Sequence, residues 1–308
     1  MKKNKHTRHW LWGLGLALSG FVVSSRRHPQ NFLDPKFPLL EGPGRGAEAV
    51  GAPTLNRDTF SLVSFNIHFG YEPEKVVATL RENGMAASDV LLLQESDDKS
   101  VRLISEALHM GYVYYPATVH PTSGNLFGVA VLSRWPIRAS RKILLPSKSL
   151  FDAARKVCVA TTIEIDHVLI EVVNVHLQSG LLRRAFREQI ESAVRCALHG
   201  QCEGDPDPEP LPPARARVFA GDFNTWETGL QKGLEETMRG IPLKRVDGIV
   251  GTFSKGSDQG RGKHTMDYIF VSPELYLKSG RVGASRTGSD HHPIEAELRL
   301  PKPESGSR

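Results

Sequence analysis

The segment FAGDFNTW, residues Phe219–Trp226, places an acidic residue directly after an apolar run. Asp222 ends that run, and Asn224 follows two residues later. Because alternate residues of a strand lie on the same side, a strand that ends here points a carboxylate and a carboxamide in one direction. One group can then hold a metal ion or a water molecule while the other holds a substrate oxygen. The alternative is an ordinary turn, because Gly, Asp and Asn are also common turn residues.

On both sides of this segment, the chain alternates between strand-like and helix-like runs. Runs that are almost entirely apolar predict buried strands, and apolar residues at helical spacing predict helices. The predicted strands cover residues 60–67, 89–96, 126–137, 156–165, 168–177, 217–224, 266–273 and 292–300, and the predicted helices cover residues 72–84, 101–111, 183–198 and 229–240. Strands bordered by helices, with several strands in succession, predict an α/β sandwich of layered sheets.

The positive charge of the chain is concentrated at its N-terminus. The formal net charge of the 308 residues is +5. Residues 1–57 hold nine basic and three acidic residues, whereas residues 58–300 hold 28 basic and 30 acidic residues. Because most of the chain is close to neutral, its charge is weak evidence for a nucleic-acid partner.

The first 27 residues have the pattern of an export signal. Four basic residues between positions 2 and 8 precede an uncharged, mostly apolar run over residues 10–25, which ends in small residues. This run is short for a membrane span, which needs about 20 residues, but an uncleaved anchor is the alternative to a cleaved signal. We therefore expect an exported protein, periplasmic, extracellular or attached to the membrane through residues 10–25. Residues 28–57, which are rich in Pro and Gly, are predicted to form a linker.

The three cysteines show no pattern of metal ligands. Cys196 and Cys202 are close enough in sequence to form a disulfide if the compartment is oxidising. Cys158 lies in a predicted strand and has the setting of an apolar strand residue. No spacing matches a zinc site, so the cysteines are assigned no chemistry.

Polar residues interrupt the apolar runs at positions that suggest a shared site. They lie within the predicted strands or at the ends of those strands, namely Asn66, Glu95, Asn174, His176, Asp222, Asn224, Asp267, Asp290 and His291. Burying so many polar groups costs free energy unless each is paired, which favours a functional cluster over a scatter of turns. The carboxylate and amide oxygens among them suit Mg²⁺ or Mn²⁺ better than zinc.

The same residues suit hydrolysis of a phosphoester. His176 and His291 can donate to phosphate oxygens or move protons, and Asp267 can orient an imidazole. Asp222 can position or deprotonate the attacking water. No P-loop, Gly-x-Ser-x-Gly or His-Glu-x-x-His pattern in the chain competes with this interpretation.

Seven motifs in order resemble the endonuclease/exonuclease/phosphatase superfamily. They are SFNIHFG, LLLQES, GVAVLSRWPI, VVNVHL, AGDFNTW, MDYIFVS and GSDHHPIEAEL, and they extend over about residues 58–300. The resemblance implies a four-layer α/β/β/α sandwich, with two packed mixed sheets flanked by helices, over residues 58–300, followed by a polar tail at 301–308. It also implies Mg²⁺-dependent hydrolysis of phosphoester bonds.

The resemblance assigns roles to individual positions. Asn66, Glu95 and Asp290 match metal-site positions, and His176, Asp222, Asn224, Asp267 and His291 match catalytic positions. Asp290 and His291 are matched through SDHHP, in which His291 is preferred to His292 because it directly follows the aspartate. Asn125 and Arg155 match phosphate-binding positions, with a Gly-Asn turn and a solvated charge as the respective alternatives.

The substrate is not fixed by a fold. DNA or RNA is favoured over phospholipid, although a nuclease needs a basic groove. Candidates for such a groove are Arg138–Lys142 and Lys255–His264. The arginines at 183, 184 and 187 could also attract an anionic substrate, but a solvated helix face is the better interpretation of them. A lipid headgroup phosphodiesterase would use exposed aromatic residues, for which Trp226 and Trp135 are candidates. A small-molecule phosphatase and a non-catalytic binding module are further alternatives.

Overall fold

Two mixed β-sheets and four α-helices make up the part of the chain that the structure, a computed structural model, describes. This part comprises residues 30–42, 57–120, 123–147, 154–180, 182–254 and 262–301. The strands are β1 (Gln30–Asn31), β2 (Leu40–Glu41), β3 (Thr59–Asn66), β4 (Val90–Ser96), β5 (Gly111–Val119), β6 (Leu126–Ser133), β7 (Ile137–Leu144), β8 (Val157–Ile165), β9 (Val168–His176), β10 (Ala216–Asp222), β11 (Lys244–Arg245), β12 (Asp267–Val271), β13 (Tyr276–Val282) and β14 (Ile294–Arg299). The helices are α1 (Pro73–Glu82), α2 (Asp98–Leu108), α3 (Arg183–His199) and α4 (Thr228–Met238).

Each sheet contains one parallel pair of strands among antiparallel neighbours. The first sheet has the order β1-β5-β6-β4-β3-β14-β13, with β2 also paired to β5, and its parallel pair is β3 and β4. The second sheet has the order β11-β12-β10-β9-β8-β7, and its parallel pair is β9 and β10. Because parallel neighbours end at the same edge, each sheet has an edge where two strand ends lie side by side.

Alternation along the strands sorts the apolar side chains into three cores. In β10, Val218 and Ala220 pack between the two sheets, whereas Phe219 packs against α3 and α4. In β3, Leu62 packs between the sheets, whereas Val63 packs against α1 and α2. The layers are therefore helix, sheet, sheet and helix, which confirms the predicted four-layer sandwich.

Local sequence signals set where the helices begin and end. Asp97 caps α2 by accepting from the backbone N–H of Ser100, and the Ser100 hydroxyl oxygen accepts from the backbone of Asp97. Because of this capping box, α2 begins before residue 101, the predicted start. The helix also ends earlier than predicted, because His109 takes a left-handed conformation with φ 53°. Helix α3 ends at His199, one residue beyond the predicted end, where Gly200 takes a left-handed conformation with φ 66°.

The run at residues 126–137 was predicted as one strand and is two. Strand β6 ends at Ser133, and β7 begins at Ile137 in the other sheet. The intervening turn contains Pro136, and the Ser133 Oγ accepts a 2.9 Å hydrogen bond from the Trp135 backbone. Strands β5 and β13 were not predicted. Strand β5 contains Pro116 at a break in its register with β6, which obscures the strand pattern in the sequence.

Residues 30–42, predicted as part of a linker, are instead part of the first sheet. Strands β1 and β2 both pair with β5. The buried ammonium group of Lys142 donates to the backbone oxygens of Phe32 and Phe37, which holds this segment against the sheet. The predicted signal or anchor at residues 1–27 and the rest of the linker at 43–56 lie outside the described residues. In the described ranges, no helix has the length and apolarity of a membrane-crossing helix.

The three cysteines form one disulfide and one buried free thiol. Cys196 and Cys202 form a disulfide that joins the end of α3 to the loop after it. Cys158 is a buried, free cysteine in β8, as its apolar setting predicted.

Candidate active site

Three predicted site residues form a row across the second sheet. The strand register places Asp222 of β10 directly opposite His176 of β9 on one side and Asp267 of β12 on the other. All three lie on the face of their strands that is turned toward the first sheet. Ala220 of β10 and Ile269 of β12, each two residues away from Asp222 or Asp267, pack between the sheets, and residues two apart in a strand lie on the same face. Each is at most 1% exposed. The strand ends therefore present two carboxylates and an imidazole toward the other sheet.

The first sheet contributes residues from the ends of β3 and β4. Asn66, the last residue of β3, donates from Nδ2 to Oδ2 of Asp222 over 3.0 Å. Glu95 has a left-handed φ of 55°, at an irregularity in the pairing of β4 with β6. Its Oε1 lies 3.7 Å from Nε2 of His176. Without that irregularity, the alternation of β4 would point Glu95 into the helix-side core.

A buried amide pair joins the two sheets beneath the site. Gln94 donates from Nε2 to Oδ1 of Asn174 over 2.7 Å. Asn174 in turn donates to the backbone oxygens of Leu93 and Ala130. Asn174, which the sequence placed in the cluster, therefore holds the sheets in register rather than facing a substrate. A buried amide that is satisfied in this way adds specificity to the packing.

The loop before β14 supplies the second histidine. The Ser289 hydroxyl donates to the Asn66 backbone oxygen over 2.6 Å and accepts from the His291 backbone over 3.0 Å, which ties the loop to the end of β3. The His291 Nδ1 lies 2.9 Å from Oδ2 of Asp267, and its Nε2 lies 4.0 Å from Oδ2 of Asp222. His292 instead has Nδ1 2.8 Å from the backbone oxygen of residue 283. The structure thus brings His291, and not His292, to the acidic row.

Asp290 lies at the more exposed side of the same loop. Its Oδ1 is 3.1 Å from Nδ1 of His68, a residue that the sequence analysis did not select. The hydrogen bond to Asp290 raises the pKa of His68, opposed by burial, and the charge of Glu95 acts in the same direction as Asp290. Asp290 and Glu95, both predicted metal ligands, therefore act on the same neighbouring imidazole.

Asn224 reaches Asp222 through a turn rather than through strand alternation. Strand β10 ends at Asp222, and Asn224 has a left-handed φ of 51°. The Asn224 backbone donates to Oδ1 of Asp222 over 2.8 Å, and its Nδ2 donates to the Leu177 oxygen over 2.8 Å. The two side chains lie together as expected, but both the strand and the turn are needed to bring them there.

The charges of the cluster are coupled. Burial raises the pKa of Asp222 to about 7, opposed by the positive charge of His291. Burial alone would lower the pKa of His291, but the carboxylates of Asp267 and Asp222 raise it to about 10. Burial, together with the nearby charges of Lys156 and His291, lowers the pKa of His176 well below its usual value. The site therefore contains one cationic histidine, His291, and one neutral histidine, His176.

The donor set fits a hard divalent cation. Ligand atoms of Asp222, Asp267 and His291 all lie within 4.8 Å of one another. The buried Oδ1 of Asp267 has no hydrogen-bond partner in the described part of the chain. Carboxylate oxygens predominate, and the group of ligand atoms found in the described residues includes no cysteine, which suits Mg²⁺ or Mn²⁺ better than zinc.

A lysine that the sequence analysis missed lies at the site. The Nζ of Lys156 is 2.9 Å from Nε2 of His176, 3.6 Å from Oε1 of Glu95 and 4.3 Å from the ring centre of Phe127. The sequence analysis chose Arg155 for a phosphate contact, but its guanidinium donates to the Leu145 backbone oxygen. The predicted strand over residues 156–165 includes Lys156, but β8 begins only at Val157, so the alternation of the strand does not fix where Lys156 points.

Asn125 also lies apart from the cluster. It donates from Nδ2 to Oδ2 of Asp97 over 3.3 Å, and its backbone donates to the Ser123 hydroxyl. In the part of the chain that the structure describes, it makes no hydrogen bond to the acidic row. Its position is that of the turn which the sequence analysis gave as the alternative.

The chain matches a known protein family and is similar to several solved structures. Residues 63–291 match the model of the Endonuclease/Exonuclease/phosphatase family. A protein of that family from Beutenbergia cavernae has a similar structure, with TM-score 0.60 and 18% identity over 82% of this chain and 74% of the other. The mannosyl-6-phosphatase Bt3783 of Bacteroides thetaiotaomicron gives TM-score 0.59 and 19% identity over 78% and 100% of the chains.

A third similar structure is D. rerio TDP2 in complex with a single-strand DNA product. It gives TM-score 0.58 and 14% identity over 79% of this chain and 100% of the other. No curated protein matches the sequence. The family match covers most of the chain, and the solved structures share its fold. This chain therefore belongs to the Endonuclease/Exonuclease/phosphatase family and is a metal-dependent phosphoester hydrolase.

Proposed function

We propose that this protein is an exported, Mg²⁺-dependent phosphodiesterase that cleaves nucleic acid by attack of water. One observation carries the proposal, which is the buried row of His176, Asp222 and Asp267 joined by His291 and faced by Glu95. Burying a row of ionisable groups between two packed sheets costs free energy that pairing only partly offsets, which favours a functional role for the row. Their chemistry matches water activation and phosphate binding.

Asn66, Glu95 and Asp290, the positions matched to the family's metal site, would hold the cation. The Oδ1 of Asp267, which has no hydrogen-bond partner among the described residues, is a further oxygen donor nearby. When bound, it supplies a Lewis acid that polarises a phosphoryl oxygen and offsets the negative charge of the transition state. Manganese is the alternative ion, because the same oxygen donors accept it.

Asp222 is the residue that would orient and deprotonate the attacking water. Hydrogen bonds from the Asn66 side chain and the Asn224 backbone fix its carboxylate. Burial raises its pKa to about 7, and a base whose pKa lies near the working pH is well suited to accept a proton. The water oxygen would then bond to phosphorus while the bond from phosphorus to the leaving oxygen breaks, with Asp222 taking the water proton and a histidine giving a proton to the leaving oxygen.

Donors around that position would bind the phosphoryl group. Asp267 fixes the ring of His291 through Nδ1, so that Nε2 is free to donate toward the phosphate. The amide of Asn224 lies 3.2 Å from Asp222, at the centre of the row, and the ammonium of Lys156 lies 2.9 Å from His176, at one end. Preorganised donors of this kind stabilise the developing charge without needing to reorganise during the reaction.

Two observations support the finer parts of the proposal. The similar TDP2 structure contains a single-strand DNA product, which favours nucleic acid as the substrate class. The Cys196–Cys202 disulfide favours an oxidising compartment, and therefore export. Export also agrees with the sequence pattern of residues 1–27.

The basic groove expected near Arg138–Lys142 does not form. Arg138 pairs with Glu164, and the side chains of Arg141 and Lys142 are buried. The part of the Lys255–His264 cluster at residues 255–261 lies outside the described residues. Support for a nucleic-acid substrate therefore comes from the similar TDP2 structure, which contains a DNA product, rather than from a basic groove at Arg138–Lys142.

One observation favours a phospholipid headgroup as a second candidate. Trp226 is 44% exposed and lies two residues after Asn224, where it can contact a membrane surface. Trp135, the other aromatic candidate, is buried and donates from Nε1 to Asp89. A lipid substrate is therefore the second arm of the experiment.

The experiment compares nicking of supercoiled plasmid with hydrolysis of sphingomyelin vesicles by the full chain. We expect nicking in Mg²⁺ that disappears in EDTA and in Asp222→Asn. Asp207→Asn, in the exposed Pro-rich loop, serves as a matched control and should retain full nicking. Hydrolysis of the lipid without nicking would replace nucleic acid by phospholipid as the substrate. Nicking that survives Asp222→Asn would contradict the site.

A further inference from the structure

The backbone that follows β3 adopts an unusual conformation next to the site. His68, Phe69 and Gly70 have successive φ values of 47°, 63° and 64°. Glycine accepts this region readily, but a histidine and a phenylalanine do so at a cost in free energy. Strain of this kind persists where the surrounding contacts fix it, and it is concentrated at functional sites. The turn directs the His68 ring to Asp290, and the Phe69 ring packs against the rings of His68 and His120.

The Phe69 ring belongs to a cluster of four rings, which we name the aromatic platform. Its members are Phe69, Tyr71, His120 and Phe127. The rings of Phe69 and Tyr71 are stacked, with centroids 5.3 Å apart and planes 24° apart. Phe69 also lies 4.8 Å from His120 and 5.4 Å from Phe127. Phe127 is 4% exposed, whereas Tyr71 is 54% exposed, so the platform is anchored at one end and open to solvent at the other.

The anchored end of the platform adjoins the phosphate-binding groups. The Phe127 ring centre lies 5.9 Å from that of His176 and 4.3 Å from Nζ of Lys156. A phosphoryl group held by Lys156 therefore lies beside the platform. The rings of Phe69 and Tyr71 continue from there to solvent, so a group attached to that phosphate can lie along them.

We propose that the aromatic platform stacks the unpaired base of the nucleotide next to the cleaved phosphodiester bond. The inference rests on the proposed nuclease function and deepens it, because it specifies single-stranded nucleic acid. Aromatic side chains stack on any base face and are therefore tolerant of sequence. A base in a duplex keeps both faces covered by its neighbours and has to be unstacked first. The Tyr71 ring stacks on Phe69 and is 54% exposed, so it offers solvent a rigid aromatic surface, which suits a base better than a flexible acyl chain.

The chain offers a matched pair of tyrosines for the test. Tyr71 is the exposed member of the platform, and Tyr276, on β13, is exposed outside it to 66%. The variants Tyr71→Ala and Tyr276→Ala each remove one exposed ring and leave the buried cores untouched. Both would be assayed in Mg²⁺ on a single-stranded thymidine oligonucleotide and on the same backbone with abasic tetrahydrofuran units.

We expect Tyr71→Ala to lower kcat/KM on the thymidine oligonucleotide by on the order of five- to 150-fold, the range found for one stacked base. The same variant should leave kcat/KM on the abasic backbone nearly unchanged, and Tyr276→Ala should change neither value. An equal loss on both substrates, or equal cleavage of both by the wild-type chain, would overturn base stacking while leaving the nuclease intact. Cleavage of neither oligonucleotide would instead contradict the proposed nuclease function.

Discussion

Replacing Lys156 with Met is expected to slow catalysis strongly and to leave the fold intact. The Lys156 ammonium lies 2.9 Å from Nε2 of His176 and 3.6 Å from Oε1 of Glu95, so its loss removes a preorganised donor from a buried site. Loss of one such donor costs on the order of 10²- to 10³-fold in kcat. At 3.6 Å the attraction to Glu95 is about 5 kcal/mol with an effective dielectric constant of about 20. Removing Lys156 leaves the partly buried Glu95 without this partner, so the free energy of unfolding should fall by about 3 kcal/mol, a loss that thermal melting detects.

The neighbouring Arg155 is the matched control for this prediction. Its guanidinium binds the Leu145 backbone oxygen, so Arg155→Gln should leave kcat close to that of the wild-type chain. The assay is steady-state hydrolysis of a small phosphodiester by both variants, with thermal melting to check the fold. A Lys156→Met variant with wild-type kcat, or an Arg155→Gln variant with the larger loss, would refute the assignment of the phosphate contact to Lys156.

Three further predictions concern the dyad, a buried lysine and the disulfide. Asp267→Asn should lower kcat by about 10²-fold or more, because the carboxylate that fixes His291 is lost, and an unchanged kcat would contradict the role of the dyad. Burial lowers the pKa of Lys142 from 10.5 to about 8, so the unfolded chain binds more protons between these values and stability rises with pH there. From about pH 7 to about pH 9.5, the free energy of unfolding of the wild-type chain should rise by about 2 kcal/mol relative to that of Lys142→Met. Denaturant melts measure both values, and a difference between the two proteins that stays constant with pH would count against a buried ammonium. Replacing both Cys196 and Cys202 with Ser should lower the free energy of unfolding by about 2 kcal/mol, because a short loop is no longer closed. Identical melts of the oxidised wild type and this variant would show that the disulfide adds no stability.

The alternation of side chains along strands predicts many of the site residues that the second sheet contributes. His176, Asp222 and Asp267 end three strand-like runs, and the structure aligns them on three neighbouring strands. The sequence could not show that Asp222 lies opposite Asp267, because register between distant strands depends on tertiary packing. The resemblance to a known family supplied the missing order of motifs.

The first sheet's half of the site depends more on local irregularity. Glu95 has a left-handed conformation within a strand, which sets the direction of its side chain. Phe69 lies in a left-handed turn although it is not a glycine, so its residue type does not indicate the turn. Lys156 lies just before β8 begins, beyond the reach of strand alternation. These positions depend on strained or non-repeating backbone, which neither propensity nor periodicity predicts.

The central claim is that one active site is built from the strand ends of both sheets. The measurement that tests it most directly is the Mg²⁺-dependent rate of bis(p-nitrophenyl) phosphate hydrolysis by Glu95→Gln, from the first sheet, and Asp222→Asn, from the second. We expect each variant to lose about 10²-fold or more in kcat while its melting temperature stays close to that of the wild type. A folded variant of either kind that retains the wild-type rate would show that its sheet does not contribute to the site, and would contradict the account.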